Sequence, residues 1–219
     1  MKKFLIAVIA LTASLSAYAQ SNYSIGVGAA MRWISEDYLG YDVECHPHTG
    51  FTVDASYGYD FNSSVGLSTG LRFSYLFRSE RLSVFDVKKI DTDRESYLDL
   101  PVHLKFTFNP ASSCKFFATV GPTAELWTSY SSSHVIKYMT ENQAKDTYTT
   151  HHFKDAVPED LFNRFNVSVG ATVGVEVASA VRVSLGYDCY FLDMLKHQWG
   201  IQTSRMGRHQ LRLGVAYVF

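Results

Sequence analysis

Residues 65–77 read VGLSTGLRFSYLF, and this stretch decides the fold. Alternate residues from Val65 to Phe77 are apolar or, at Thr69, nearly so, whereas those between them are small or polar and include Arg72. A period of two is typical of a β-strand, because a helix would spread these side chains around its circumference. A strand of this length with one continuous apolar face suits a tilted crossing of a bilayer. The stretch therefore predicts a transmembrane β-barrel.

The same alternation recurs along the chain. The predicted strands span residues 23–33, 48–59, 65–77, 96–108, 115–128, 165–177, 181–191 and 208–219. Links after the second, fourth and sixth strands are short, and loops 34–47, 78–94, 129–161 and 192–206 are long. This asymmetry predicts a monomeric, all-β, eight-stranded antiparallel transmembrane barrel with short periplasmic turns and long outer loops. The alternative is a secreted β-sandwich, whose strands also alternate but are shorter.

One position interrupts the predicted ladder. Pro122 lies within the fifth strand, and proline has no N–H group to donate. We therefore expect a local bulge at this residue.

The first nineteen residues, MKKFLIAVIALTASLSAYA, have the three parts of a secretory signal peptide. Lys2 and Lys3 are the basic start, Phe4–Leu11 is a short apolar run, and Ala17-Tyr18-Ala19 is a small-residue cleavage site. The apolar run is too short for a membrane anchor. We expect residues 1–19 to direct export and residues 20–219 to form the barrel domain in the outer membrane.

Composition agrees with a membrane barrel and excludes one class of partner. Aromatic residues make up 15% of the chain, with 14 Tyr and 15 Phe, as interfacial girdles require. The net charge of −1 leaves no basic footprint for nucleic acid. We expect no nucleic-acid partner, and we expect contact with outer-membrane lipid.

The inward parity of the predicted strands carries charges of both signs in equal number. These residues are Arg32, Asp54, Arg72, Asp99, Lys105, Glu125, Glu176, Arg182, Asp188 and Arg212. An eight-stranded barrel is just wide enough for side chains, and unpaired buried charge is costly. The balance predicts an ion-paired interior, with a narrow polar path or proton relay as the alternative.

Residue types that bind metals or form disulfides are present but poorly arranged. Cys45, Cys114 and Cys189 fall in a loop, an opposite turn and an apolar face, so we expect no disulfide. The loop histidines are His46, His48, His134, His151 and His152. Together with Cys45 and nearby acids they form no closed ligand set, so we predict no metal site and no cofactor.

Catalytic residue types also occur without a motif. Ser129, Ser131, Ser132 and Ser133 precede His134, and a lipid hydrolase in a barrel needs a serine, a histidine and an acid near the outer rim. No flanking motif accompanies them. We predict no catalytic residue.

The end of the chain and three internal segments carry a family resemblance. Val215, Tyr217 and Phe219 form an outward stripe that resembles the C-terminal signal read by the barrel-assembly machinery. The segments ESYLDLPVHLKF from Glu95, FATVGP from Phe117 and LGVAY from Leu213, with the AYAQ signal end, resemble the outer-membrane β-barrel domain family common in Bacteroidetes, including PorT-like proteins. The resemblance implies this fold, the outer membrane and the assembly machinery as a partner.

The long outer loops are the expected seat of function. Loops 34–47, 78–94 and 129–161 are where a barrel of this kind contacts other molecules, so we expect a non-enzymatic structural or binding role with an envelope or surface partner. The candidate contact or anchoring aromatics are Trp33, Tyr38, Tyr41, Tyr130 and Tyr138. Three alternatives remain open: a secretion-associated PorT-like barrel, a lipid-modifying enzyme and a small pore.

Overall fold

A computed structural model describes residues 20–38, 41–44, 47–84, 87–111, 114–138, 147–152, 163–178, 180–192 and 204–219. The predicted signal peptide, Cys45 and His46 lie outside these residues. The strands are β1 (Gln20–Tyr38), β2 (Tyr41–Glu44), β3 (His48–Asp60), β4 (Val65–Val84), β5 (Val87–Ala111), β6 (Cys114–Tyr138), β7 (Thr147–His152), β8 (Phe165–Val177), β9 (Val181–Tyr190) and β10 (Ser204–Val218). In the described part of the chain, no helix is long and apolar enough to cross a membrane.

Eight of these strands close into a ring. The hydrogen-bonded order is β10-β9-β8-β6-β5-β4-β3-β1, and β1 pairs back onto β10 from Ser24↔Val218 to Tyr38↔Ser204. Every pairing around the ring is antiparallel. The predicted eight-stranded antiparallel barrel is confirmed. Below, the turn end is the end with the links 61–64 and 178–180, and the loop end is the opposite one.

Parts of three predicted loops are β-structure instead. β4 and β5 pair through the 78–94 segment up to Val84↔Val87, and β6 continues through 129–138 to pair with β7. β1 extends to Tyr38 and pairs with β2 within the predicted loop 34–47. These strands cannot be recognised from alternation, because charged and hydroxyl side chains occur on both of their faces and no apolar residue recurs at every second position.

The predicted bulge at Pro122 is wrong. The pairs Pro101↔Thr123 and Leu104↔Val120 share one register, so the β5–β6 ladder is not shifted there. Nearby, the carbonyl of Pro101 accepts a hydrogen bond from Thr69 Oγ1 at 2.9 Å. A shift occurs instead between Ser96 and Tyr97, where Thr128 is the extra residue of β6.

This bulge reverses the parity of β6. Before it, Glu125 and Trp127 are buried inside the barrel, and after it Ser132 is the buried residue. Ser96 Oγ lies 2.8 Å from Thr128 Oγ1 and 2.5 Å from Ser129 Oγ, so hydroxyls close the gap left by the extra residue. Bulges of this kind re-aim side chains and increase local twist.

The surface of the barrel wall is apolar and its interior is polar, the inverse of a soluble protein. The exposed outward residues include Ile25, Val27, Phe51, Leu71, Phe73, Leu100, Leu104, Phe116, Val120, Val173, Leu185, Leu213 and Val215. The buried polar residues include Arg32, Ser74, Asp99, Thr123, Glu125, Ser168, Asp188, Arg208 and Gln210. Such a belt requires a hydrocarbon solvent around the barrel, as a membrane-spanning barrel has.

Glycine permits close strand contact at one inward position of β3. A Cβ atom on Gly50 would lie 1.9 Å from the carbonyl oxygen of Tyr75, whereas one on Gly214 would lie 3.4 Å from Ser184 Oγ. We expect Gly50→Ala to lower the free energy of unfolding by about 1–3 kcal/mol, because the backbone must move. Gly214→Ala should change it by less than about 1 kcal/mol.

Urea titrations of both variants refolded in detergent micelles, read by the heat-dependent shift in gel migration, measure the difference. Equal midpoints for the two variants would contradict the close packing at Gly50.

Candidate functional site

Inward side chains fill the barrel in three polar clusters stacked along its axis. The outer cluster, nearest the loop end, comprises Arg32, Glu125, Arg208, Gln210, Tyr97, Tyr190 and Trp127. The middle cluster comprises Arg72, Asp99, Asp188, Arg212 and His103. The turn-end cluster comprises Asp60, Lys105, Lys115, Glu176 and Arg182. Each cluster draws its members from several strands of the ring.

Glu125 is the centre of the outer cluster. Its two carboxylate oxygens bind different guanidinium groups, Oε2 at 2.5 Å from Arg32 Nη2 and Oε1 at 2.9 Å from Arg208 Nη1. The Glu125 side chain is only 1% exposed, and those of Arg32 and Arg208 are 0% and 2% exposed. Arg32 Nε also donates to Gln210 Oε1 at 2.8 Å. One carboxylate therefore joins β6 to β1 and β10 across the lumen.

Aromatic rings complete the outer cluster. The Arg32 guanidinium carbon lies 3.8 Å from the centre of the Tyr97 ring, and that ring stacks on Trp127 at 6.0 Å. Arg32 Nη2 donates to Tyr190 Oη at 3.1 Å. A desolvated guanidinium gains most from such cation–π contacts. The outer cluster thus holds two cations over one carboxylate by packing rings around them.

Polar contacts continue from the outer cluster toward the loop end. Tyr97 Oη donates to Glu95 Oε2 at 2.5 Å, and the same oxygen lies 3.3 Å from His48 Nδ1. Beyond it, Asp93 accepts from Arg78 Nη2 at 2.7 Å and from Ser132 Oγ at 2.8 Å. These contacts tie the strand extensions to the barrel interior.

The middle cluster is also built from ion pairs between strands. Arg212 Nε donates to Asp188 Oδ2 at 2.7 Å. Arg72 Nη1 lies between two carboxylates, 3.5 Å from Asp99 and 3.8 Å from Asp188. His103 is bonded to hydroxyls, with Nδ1 at 3.3 Å from Thr119 and Nε2 at 3.0 Å from Thr123.

The turn-end cluster is more open. Lys105 Nζ lies 3.0 Å from Asp60, and Arg182 Nη2 lies 2.9 Å from Glu176. Lys115 approaches Glu176 at 3.7 Å. A cavity of about 100 Å³ lies between this cluster and the middle one, and its lining combines hydroxyls, cations and Asp54 with apolar side chains such as Leu71 and Phe117. The cavity is small beside ordinary ligand pockets, which measure about 300–1,000 Å³.

The structure places nine of the ten interior residues predicted from sequence in these ion pairs. Among the described residues Asp54 makes no ion pair and lines the cavity instead. Sequence reasoning missed Arg208, Asp60, Lys115, Arg78, Asp93 and Glu95. Arg208 has the inward parity of its strand, so parity alone identifies it. Asp60, Arg78 and Asp93 were assigned to links and loops.

Residues suggested for metal binding or catalysis have other contacts. Neither Cys114 nor Cys189 is in a disulfide, and the described residues contain no group of three metal-ligating side chains. His48 is not a loop residue, because it begins β3 and is buried beside Glu95. His134 and His151 lie in paired strands, opposite Thr149 and Ser132.

The candidate aromatics separate into two groups. Tyr130 does not anchor at the rim, because its hydroxyl donates to Asp93 at 3.3 Å and its ring meets Trp127 at 5.6 Å. Trp33 is half-buried on the outward parity of β1. Tyr38, Tyr41 and Tyr138 lie in strands, but their side chains are outside the described residues.

The C-terminal stripe faces outward. Val215, Tyr217 and Phe219 are 49%, 53% and 69% exposed, and the last two rings meet at 5.0 Å. The backbone N–H of Phe219 donates to the carbonyl of Tyr23 at 2.8 Å. The stripe lies at the seam between the first and last strands, and its role in assembly stays a prediction.

Comparison with known proteins gives the class. Residues 4–219 match the outer membrane protein beta-barrel domain family, and the chain belongs to it. This membership implies an outer-membrane location. No curated protein matches the chain in sequence.

Solved structures with the same kind of barrel are distant. Ail of Yersinia pestis is 14% identical at a TM-score of 0.43, covering 91% of this chain and 99% of Ail. OprG from Pseudomonas aeruginosa is 9% identical at 0.43, covering 91% and 96%. The outer membrane enzyme PagL is 13% identical at 0.35, covering 89% and 97%. At these TM-scores the likenesses carry no argument about the role of this chain.

Removing the charge of Glu125 tests the outer cluster. We expect Glu125→Gln to lower the free energy of unfolding by about 3–5 kcal/mol, because two buried guanidiniums lose their carboxylate. Lys89→Gln removes an ion pair with Asp91 whose side chains are 46% and 23% exposed, and should cost less than about 1 kcal/mol. Urea unfolding of both variants in lipid vesicles measures this, and similar losses would contradict a central role for Glu125.

Proposed function

We propose that this protein is a non-enzymatic outer-membrane barrel that binds a partner outside the cell through a sheet extended from its loop end. β4 has 20 residues and β5 and β6 have 25 each, whereas a barrel strand crosses a membrane in about 9–11. Residues 78–84, 87–95, 129–138 and β7 form this extension sheet. Roughly half of each long strand therefore has no membrane to cross.

The orientation in the membrane follows from the link lengths. Outer-membrane barrels have short periplasmic turns and long outer connections. In this chain the links 61–64 and 178–180 and the final residue lie at the turn end, and the extension sheet lies at the other. With export directed by residues 1–19, the extension sheet projects outside the cell.

The filled interior supports binding over transport. Arg32, Glu125 and Arg208 occupy the lumen with almost no exposed surface, and Tyr97 and Trp127 pack beside them. Opening a path for ions would separate buried charges from their partners, at a cost of several kcal/mol. The outer cluster instead holds together the strands from which the extension sheet projects.

The extension sheet itself is tied down rather than left as free loops. Asp93 on β5 binds Arg78 on β4 and Ser132 on β6, so three strands share one carboxylate. Preorganisation of this kind lowers the entropy that a binding surface loses when it meets a partner. The PorT-like, secretion-associated role remains the alternative, and it differs in the identity of the partner.

Truncating one hairpin tests the binding role. Ser79 and Thr92 face each other across β4 and β5, so residues 80–91 can be replaced by Asn-Gly, which favours a two-residue hairpin turn. A photo-crosslinking residue at Ile136 of β6 reports the partner in living cells. We expect a discrete crosslinked protein from the full chain and at least about a fivefold loss after truncation, since the surface that Ile136 shares with Lys89 is gone.

A crosslinker at Tyr217, in the lipid-facing stripe, is the matched control and should capture no such product. Heat-shifted gel migration shows that the truncated barrel is assembled. An unchanged product after truncation, or none from Ile136, would contradict the proposal. A secretion-system component as the product would favour the PorT-like alternative.

The pore and enzyme alternatives have their own tests. We expect no step-like conductance in planar bilayers, because the outer cluster fills the lumen. We also expect His134→Ala to leave the lipid profile of the membrane unchanged, since Ser129 and Ser132 are engaged with Ser96 and Asp93. Conductance, or a lipid profile that depends on His134, would overturn the respective part of the proposal.

A further inference from the structure

Charge is sorted between the two faces of the extension sheet. One face continues the outward, lipid-facing parity of the barrel wall, because β4 and β5 keep a single register from Arg72↔Asp99 to Val84↔Val87. The described side chains of this outward face are Ser79, Arg81, Lys88, Ile90, Thr92, Arg94, Ser129, Ser131, Ser133 and Val135. The described carboxylates of the sheet, Glu80, Asp91, Asp93 and Glu95, all have the opposite parity.

Among the side chains that the structure describes, the outward face carries three cations and no carboxylate. Among the described residues, Arg81, Lys88 and Arg94 make no ion pair, and Arg81 and Arg94 are exposed. On the other face the cations are paired, Arg78 with Asp93 at 2.7 Å and Lys89 with Asp91 at 2.9 Å. A face whose described charges are all positive lacks the balance of charge found in the barrel interior, so it is suited to an anionic partner.

The outward face begins at the edge of the membrane belt. Arg94 is the register partner of Phe77, which is 47% exposed on the lipid-facing side. Arg81 lies about 13 Å beyond Phe77 along β4, at about 3.3 Å per residue. Strands in such barrels tilt by about 35–45°, so these cations rise gradually through the layer just above the hydrocarbon.

We propose that the outward face of the extension sheet binds the phosphorylated saccharide headgroup of an outer-leaflet glycolipid. Guanidinium groups bind phosphate through two parallel hydrogen bonds, and the ammonium of Lys88 adds a point charge. The hydroxyls of Ser79, Ser131 and Ser133 lie between the cations and suit sugar hydroxyls. The proposal rests on the loop end facing outward, as the proposed function requires.

Two neighbouring lysines provide a matched test. Lys88 and Lys89 are adjacent in β5 but project to opposite faces, so Lys88→Gln and Lys89→Gln remove the same charge from the two sides. The probe is bisphosphorylated lipid A added to the purified full-length barrel in neutral detergent micelles, and native mass spectrometry counts bound lipid. We expect Lys88→Gln to weaken binding about fivefold, the effect of one basic residue at an anionic surface. Lys89→Gln should leave the affinity within about twofold.

The triple variant Arg81→Gln, Lys88→Gln, Arg94→Gln should weaken binding by about a hundredfold if the three charges act together. Dephosphorylated lipid A should bind the full barrel and the triple variant equally weakly. Heat-shifted gel migration shows that each variant is folded.

Equal losses from Lys88→Gln and Lys89→Gln, or no loss in the triple variant, would overturn the proposal. So would retention of full affinity by dephosphorylated lipid A. Failure here with the Ile136 crosslink intact would remove the glycolipid site alone, whereas loss of that crosslink with lipid binding intact would remove the protein partner alone.

Discussion

The structure depends on one constraint: a closed ring of eight strands leaves an interior that only side chains fill, and those side chains are charged. Glu125 meets this constraint by forming ion pairs with Arg32 and Arg208 at the same time. In a soluble protein a buried ion pair often stabilises no better than an apolar packing. Here the outside must be apolar for the lipid, so the polar residues of each strand have only one side on which to lie. Pairing across the lumen is the arrangement that leaves few charges unmatched.

The same constraint links the interior to the surface. The chain of contacts from Arg32 through Tyr97 to Glu95 ends where the strands leave the membrane. There the extra residue Thr128 reverses which side chains of β6 face inward. Ser132, and not Ser133, therefore donates to Asp93. The extension sheet is thus a continuation of the barrel wall in which different residues of β6 face the polar side. The contacts with the outer cluster fix its position relative to the barrel.

Alternation predicted the fold because lipid and lumen impose opposite chemistry on successive residues, as at Leu71 and Arg72. Parity also identified most of the residues that form interior ion pairs, since an eight-stranded barrel is just wide enough for its inward side chains to fill it. Prediction from alternation failed where both faces of the sheet lie outside the lipid. Arg78, Glu80, Asp91 and Asp93 carry no apolar signal, so residues 78–94 resemble a loop although backbone pairing continues through them. Partner choice is beyond such reasoning, because parity fixes a side chain's face and not its neighbours.

The seam of the ring lies between the first and last strands, with Ser24 opposite Val218 and Tyr38 opposite Ser204. Every other ladder of the ring joins strands that are much closer in sequence than β1 and β10, so bringing them together costs less loop-closure entropy. The seam is different, because its two edges are separated by most of residues 20–219. Until the last strand arrives, β1 presents an unpaired edge, and the lumen carboxylate Glu125 lacks Arg208. Insertion from one terminus, strand by strand, would expose that edge to hydrocarbon. Closure of the ring therefore requires the two ends of residues 20–219 to come together.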